Sequence, residues 1–286
     1  LVGYIGGIFA TGVMMFMLKS EKAADGSSLY SKDQSFLPVF LIIAAFMLIS
    51  VIIMVLTIKE NKLLNETNIK DDDEHAQAGG GKLPRPVFKS LVLILLSVFL
   101  WFMAYNAVTT AFSRYCVEVW QTDLGTSSSY LLVATIAAIA AFVPLGFLSG
   151  AVGRKNTVLL GITLMTVCYA IAIFIKAQTP VMYAIFGLVG IGWASINVNS
   201  FPMVVEMSRG SDIGKYTGYY YAFSMAAQVI TPVLSGVFLN ISYKLLFPYA
   251  AVCVMISFVT MLFVKHGDSR PDAKAVALDA LAGGDD

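Results

Sequence analysis

Eight stretches of this 286-residue chain run for about 20 residues almost free of charge, at roughly 1–18, 36–58, 88–112, 128–149, 156–177, 180–204, 216–239 and 244–264. That length crosses the hydrocarbon core of a bilayer. Only helices satisfy every backbone donor and acceptor across such a span without water. The whole chain is 58% hydrophobic and 13% charged, where a soluble domain carries about a quarter charged residues. The spacing predicts an all-α, polytopic membrane protein with eight transmembrane helices.

The net charge of +1 gives no reason to expect nucleic acid or an acidic partner. Cys116, Cys168 and Cys253 have neither CxxC nor histidine spacing, so they read as single buried thiols, with no metal site and no cofactor implied. The chain opens at Leu1 without a Met or a basic region before its first apolar run. That run is therefore not read as a signal peptide, and a missing beginning is expected.

Lysine and arginine favour cytoplasmic loops. With residues 59–87 inside, 13 of the 19 Lys and Arg residues fall on inside segments and 6 outside. The linker and the C-terminus are thus expected to be cytoplasmic, in a multi-pass protein of the plasma membrane. Within the linker, the run Asp71, Asp72, Asp73, Glu74 and His75 reads as solvated charge rather than a metal site, and a triple glycine follows it. The expected organisation is two helices in 1–59, a flexible linker in 60–87, six helices in 88–265 and a tail in 266–286.

The first span begins "LVGYIGGIF" and the seventh contains "ITPVLSGVF" at 230–238, which lays Gly6, Gly7, Ile8 and Phe9 on Ser235, Gly236, Val237 and Phe238. Those positions would be the fifth helix of each half of a duplicated six-helix unit, a common plan among transporters. Two helices, a linker and six helices are then the last two helices of an N-terminal half and a complete C-terminal half. Four N-terminal helices of the same protein would be the missing partner.

"GFLSGAVGRKNTVLLG" at 146–161 carries four glycines and a basic pair, yet it lacks the spacing of a phosphate-binding loop and lies between two apolar spans. Gly146, Leu148, Ser149, Gly153, Arg154 and Lys155 resemble the short loop motif of the major facilitator superfamily, G-x-L-(A/S)-D-R-x-G-R-(R/K). Gly150 stands where that motif has Asp, and Ala151 where it has a basic residue. The resemblance implies a twelve-helix fold in which this loop forms part of a conformational gate. By spacing alone, Gly146 and Gly150 form a GxxxG step that would let helices pack closely.

Residues 187–236 are similar to the sucrose/proton and the glycoside–pentoside–hexuronide cation symporters, on Ser200, Pro202, Gly214, Gly218, Pro232 and Ser235. The face that is acidic in plant sucrose carriers has Asn106 here. In that fold the spans 88–112, 180–204 and 216–239 would line the central cavity. The first places Asn106, Thr109, Thr110 and Ser113 on one stripe, the second Trp193, Asn197 and Ser200, and the third Thr217, Tyr221, Ser224, Gln228 and Thr231. Amides, hydroxyls and rings suit a neutral polyol.

No Asp, Glu, Lys or Arg lies deep in a span, so a coupling carboxylate is expected in the missing half. Glu206 ends the 180–204 span close to where Arg154 is expected. The resemblance implies that it pairs with the basic loop as a gate.

These features predict a secondary active transporter, not an enzyme. It would carry a small-molecule solute, a sugar or glycoside, together with a coupling cation such as a proton. The alternatives are an efflux or lipid/lysolipid carrier of the same fold, or a non-transporting membrane sensor. The first span lacks the proline of the G-x-x-x-G-P-x-x-G-G motif of drug exporters.

Overall fold

The structure is a computed structural model that describes residues 21–22, 28–29, 37–57, 83–122, 124–208 and 212–268. The expected span 1–18 with its half of the repeat, the Asp71–His75 run, Arg209 and the tail beyond 268 lie outside the described residues. The chain divides into two compact units, residues 1–78 and 79–286.

The first unit contains an antiparallel ladder of two residues on each side, β1 (Glu21–Lys22) and β2 (Ser28–Leu29), with Glu21 opposite Leu29 and Lys22 opposite Ser28. The sequence between them carries Asp25-Gly26, a hairpin signal that the apolar-span reading passes over. It is followed by α1 (Leu37–Thr57), within the expected 36–58.

The second unit holds α2 (Arg85–Trp120), α3 (Leu124–Val152), α4 (Arg154–Phe174), α5 (Val181–Val205), α6 (Ile213–Ile241) and α7 (Leu246–Leu262), with a 3-10 turn at Tyr243–Leu245. All six are long and apolar enough to cross a membrane, counting the 3-10 turn with α7. The fold is all-α, apart from the two-residue ladder of the first unit.

The expected 88–112 span is too short. Helix α2 has 36 residues, about 54 Å at 1.5 Å each, against a hydrocarbon core of about 30 Å. Its added turns remain helical because they are amphipathic. Tyr115, Cys116 and Trp120 are buried, whereas Arg114 and Glu118 are exposed and pair at 3.9 Å.

Helix α5 packs against both α3 and α4, α7 against α2 and α4, and α6 against α2. Near the Trp120 end, fully buried Phe112 joins the helices: its ring meets Phe186 of α5 at 4.4 Å, Tyr130 of α3 at 6.0 Å and Phe247 of α7 at 6.1 Å. In lipid such contacts act through close packing rather than release of water, so small residues at crossings matter most. At Gly190 of α5 an added Cβ would stand 2.1 Å from the carbonyl oxygen of Ala134 in α3. At Gly161 of α4 it would stand 2.6 Å from the carbonyl oxygen of Gly192.

Gly146 and Gly150 make no such approach among the described residues: a Cβ at either meets nothing within 4 Å, so the close packing their spacing suggests is not found within the second unit. The loop between α3 and α4 is Gly153 alone, at φ 94° and ψ 148°. That region is almost closed to residues with a Cβ, at a cost of about 1–3 kcal/mol.

Gly190→Ala is expected to lower stability by about 1–3 kcal/mol, because the obstructing atom is backbone. Gly146→Ala should leave it unchanged or raise it by up to about 1 kcal/mol through helix propensity. Thermal unfolding of the two variants in detergent checks this order.

Candidate functional site

Two groups of polar side chains stand out in the second unit: one around Trp193 at mid-span, the other around Arg154 at one end. Phe102 and Tyr105, three residues apart on α2, share a face of the helix. Between them they hold the Trp193 ring of α5. Tyr105 stacks on it at 3.7 Å with 2° between the planes, and Phe102 meets it edge-on at 5.0 Å and 77°.

Asn106 and Asn197 flank this aromatic group, and both are half-buried. Asn106 Nδ2 donates to the Phe102 carbonyl at 2.8 Å and Asn197 Nδ2 to the Trp193 carbonyl at 2.9 Å. Each amide thus engages one N–H within its own helix, and among the described residues a second N–H and the carbonyl oxygen remain for another partner. Thr109 and Thr110 donate back to carbonyls of their own helix, to Tyr105 at 3.0 Å and Asn106 at 2.6 Å; Thr109 is half-buried and Thr110 exposed.

The expected stripe on α6 straddles the edge of its buried face. Ser224 and Thr231 lie on the buried line Tyr216, Tyr220, Ser224, Ala227, Thr231 and Ser235, and α6 packs mainly on α2. They stand as small hydroxyl residues at a helix contact. Tyr221 and Gln228 lie beside this line and are exposed, with Gln228 donating to Ser224 O at 3.4 Å. Ser200 is fully buried and shares a hydrogen bond of 3.0 Å with the Tyr220 hydroxyl, which joins α5 to α6. Ser200 and Ser224 are thus both buried within the second unit, Ser200 in a bond between helices. Tyr105 was missed, although it adjoins Asn106 and stands one turn before Thr109.

At the other group, Arg154 and Lys155 open α4, where a helix dipole disfavours cations. Carboxylates offset this. Arg154 forms an ion pair with Glu206 at the end of α5, and the Asp268 carboxylate accepts the Lys155 backbone N–H at 3.3 Å. The Lys155 ammonium in turn donates to the Leu262 and Val264 carbonyls at 2.9 and 2.6 Å, which caps the end of α7.

Beyond α7 the chain doubles back along α2 and α5. Lys265 N–H donates to Ser90 Oγ at 3.2 Å, and Ser90 Oγ lies 2.8 Å from His266 Nδ1. Gly267, at φ 86°, passes so near Met203 that an added Cβ would lie 2.4 Å from its carbonyl oxygen. Glu206 and residues 265–268 border an open cleft of ≈ 410 Å³. Arg154 and Glu206 are thus brought together as expected, while the part played by Lys155 and Asp268 was not foreseen.

The Arg154 and Glu206 side chains are 31% and 24% exposed, against 71% and 48% for Arg114 and Glu118. A double-mutant cycle on thermal stability with Arg154→Gln and Glu206→Gln should give a coupling of about 1 kcal/mol or more. The Arg114–Glu118 pair should give below about 0.5 kcal/mol.

A sequence model of the family described as Major Facilitator Superfamily matches residues 119–281, more than half of the chain. Among solved structures, the crystal structure of the human organic anion transporter MFSD10 (TETRAN) is similar in fold, with a TM-score of 0.54 at 12% identity. The match covers 64% of this chain and 49% of that one, so the chain spans about half the length of that transporter. The helical arrangement, the loop at Gly153–Lys155 and the family match agree: the chain belongs to the major facilitator superfamily.

Proposed function

We propose that this chain is part of a secondary active transporter for a neutral, hydroxyl-rich solute of the sugar or glycoside class, working by alternating access. The observation that carries this reading is the pair of half-buried amides, Asn106 and Asn197, beside the Trp193–Tyr105 stack. Amides exchange hydrogen bonds with hydroxyl groups, and aromatic faces pack on the C–H faces of sugar rings. No Asp, Glu, Lys or Arg stands deep within the described spans, so this region offers hydrogen bonds and rings rather than charge. An anionic solute would need a cation there.

Coupling to a cation, a proton first, is supported by the likeness of residues 187–236 to cation symporters. The coupling carboxylate belongs in this reading to helices of the other half. The excess of Lys and Arg supports an orientation with the Arg154 end in the cytoplasm, and in this reading the membrane is the plasma membrane. There the Arg154–Glu206 pair, with Gly153 as the joint between α3 and α4, would latch the inner side while the outer side is open and part in the inward-open state.

Cells expressing the complete protein should take up labelled glycosides, and a protonophore should abolish the uptake. Asn106→Ala and Asn197→Ala should each raise KM about five- to tenfold, the loss of one hydrogen bond. Glu206→Gln should shift the inward/outward population. Absence of glycoside uptake under both proton and sodium gradients would overturn the solute class, and an unchanged population would overturn the latch.

A further inference from the structure

Helices α2, α3, α4 and α5 enclose a cavity of ≈ 160 Å³. Its wall is largely apolar, from Val108, Leu131, Ala134, Phe186 and Val189, and four hydroxyl-bearing residues interrupt it: Tyr105, Thr109, Thr135 and Tyr169. These hydroxyls differ in what they have left to offer. Thr109 donates to the Tyr105 carbonyl at 3.0 Å and Thr135 to the Leu131 carbonyl at 2.9 Å, so each retains only lone pairs. Tyr169 is 1% exposed, and its hydroxyl has no hydrogen-bond partner among the described residues.

A buried hydroxyl left unsatisfied costs about 1–3 kcal/mol, and a cavity of about 150 Å³ lined by apolar side chains accepts benzene. Size and chemistry thus agree on one kind of occupant. We infer that this cavity is a binding pocket for a neutral, phenol-sized ring bearing a hydroxyl group. That hydroxyl accepts from Tyr169 and donates to Thr109 or Thr135. No charged side chain lines the cavity, so a phenolate or carboxylate is excluded by the cost of burying its charge.

The inference does not depend on the solute class proposed above. The ring belongs either to the transported solute or to a separate small ligand. Tyr105 connects the two places, since it lines this cavity and stacks on Trp193 beside Asn106 and Asn197.

The test is thermal stabilisation of the full-length protein in detergent by phenol and by benzene. Phenol is expected to stabilise the wild type at lower concentration than benzene does. Tyr169→Phe should weaken phenol about three- to tenfold and leave benzene unchanged. Thr109→Val and Thr135→Val each remove a hydroxyl at constant volume, and one of the two should also weaken phenol selectively.

No stabilisation by phenol, or equal stabilisation of wild type and all three variants, would overturn the pocket and leave the cavity to water alone. Where phenol binds, competition by transported solutes identifies the source: displacement assigns the ring to the solute, and additive stabilisation assigns it to a separate ligand. Phenol binding without any glycoside uptake would refute the sugar reading and uphold the pocket.

Discussion

A polar side chain inside a bilayer must find its hydrogen bonds within the protein, and this constraint orders what the six helices of the second unit do with their Ser, Thr and Asn residues. Ser97, Thr109, Thr135, Thr166, Ser195 and Asn199 all donate to a carbonyl four residues earlier in their own helix. Such a bond makes the group tolerable in lipid but says nothing of its purpose. What separates purpose from tolerance is the capacity that remains and where it lies. A hydroxyl has one proton and has used it; a carboxamide still has an N–H and an acceptor. Asn106 and Asn197 retain that capacity in half-buried positions beside a stack of rings, and they are the groups best placed to meet a solute.

The same logic applies to charge at the Arg154 end. Two cations at the start of α4 would be unfavourable alone. Their partners come from segments distant in sequence: Glu206 closes α5, Asp268 follows α7, and the Lys155 ammonium satisfies the last carbonyls of α7. Four helices are tied at one end by bonds that each satisfy another helix's terminus, with Ser90 of α2 completing the group. The Trp120 end is held by apolar rings around Phe112 instead, with Trp120 Nε1 donating to the Ile175 carbonyl at 3.3 Å. An end held by ion pairs and caps can part in water at modest cost, while a packed aromatic cluster resists it. The two ends of the second unit are thus held by different kinds of contact.

How far this could be read from residues alone follows from the range of each interaction. Apolar length is local, so the spans from 36–58 onward that fall on described residues correspond to helices, with errors only at their ends. Helix α2 outruns its apolar stretch because Tyr115, Cys116 and Trp120 keep one buried face after the charges begin. The GxxxG spacing of Gly146 and Gly150 states that helices could approach there, not that they do. The approach occurs at Gly161, Gly190 and Gly192, whose spacing carries no such signature. The stripe on α6 lies at a helix contact for a related reason: in lipid, small hydroxyl residues favour such contacts, and Ser224 and Thr231 are buried there. The Arg154–Glu206 pair was legible from two motif ends. The Lys155 and Asp268 caps were not, because a polar tail carries no local pattern that reveals where it returns.

In the proposed transporter, Asn106 and Asn197 face a water-accessible path while Ser224 does not. Cysteine placed singly at each position and challenged with a charged methanethiosulfonate reagent tests this directly, because the native Cys116, Cys168 and Cys253 are all buried. The account expects Asn106→Cys and Asn197→Cys to react and Ser224→Cys to stay unmodified. Protection of both asparagine positions together with rapid reaction at Ser224→Cys would contradict it.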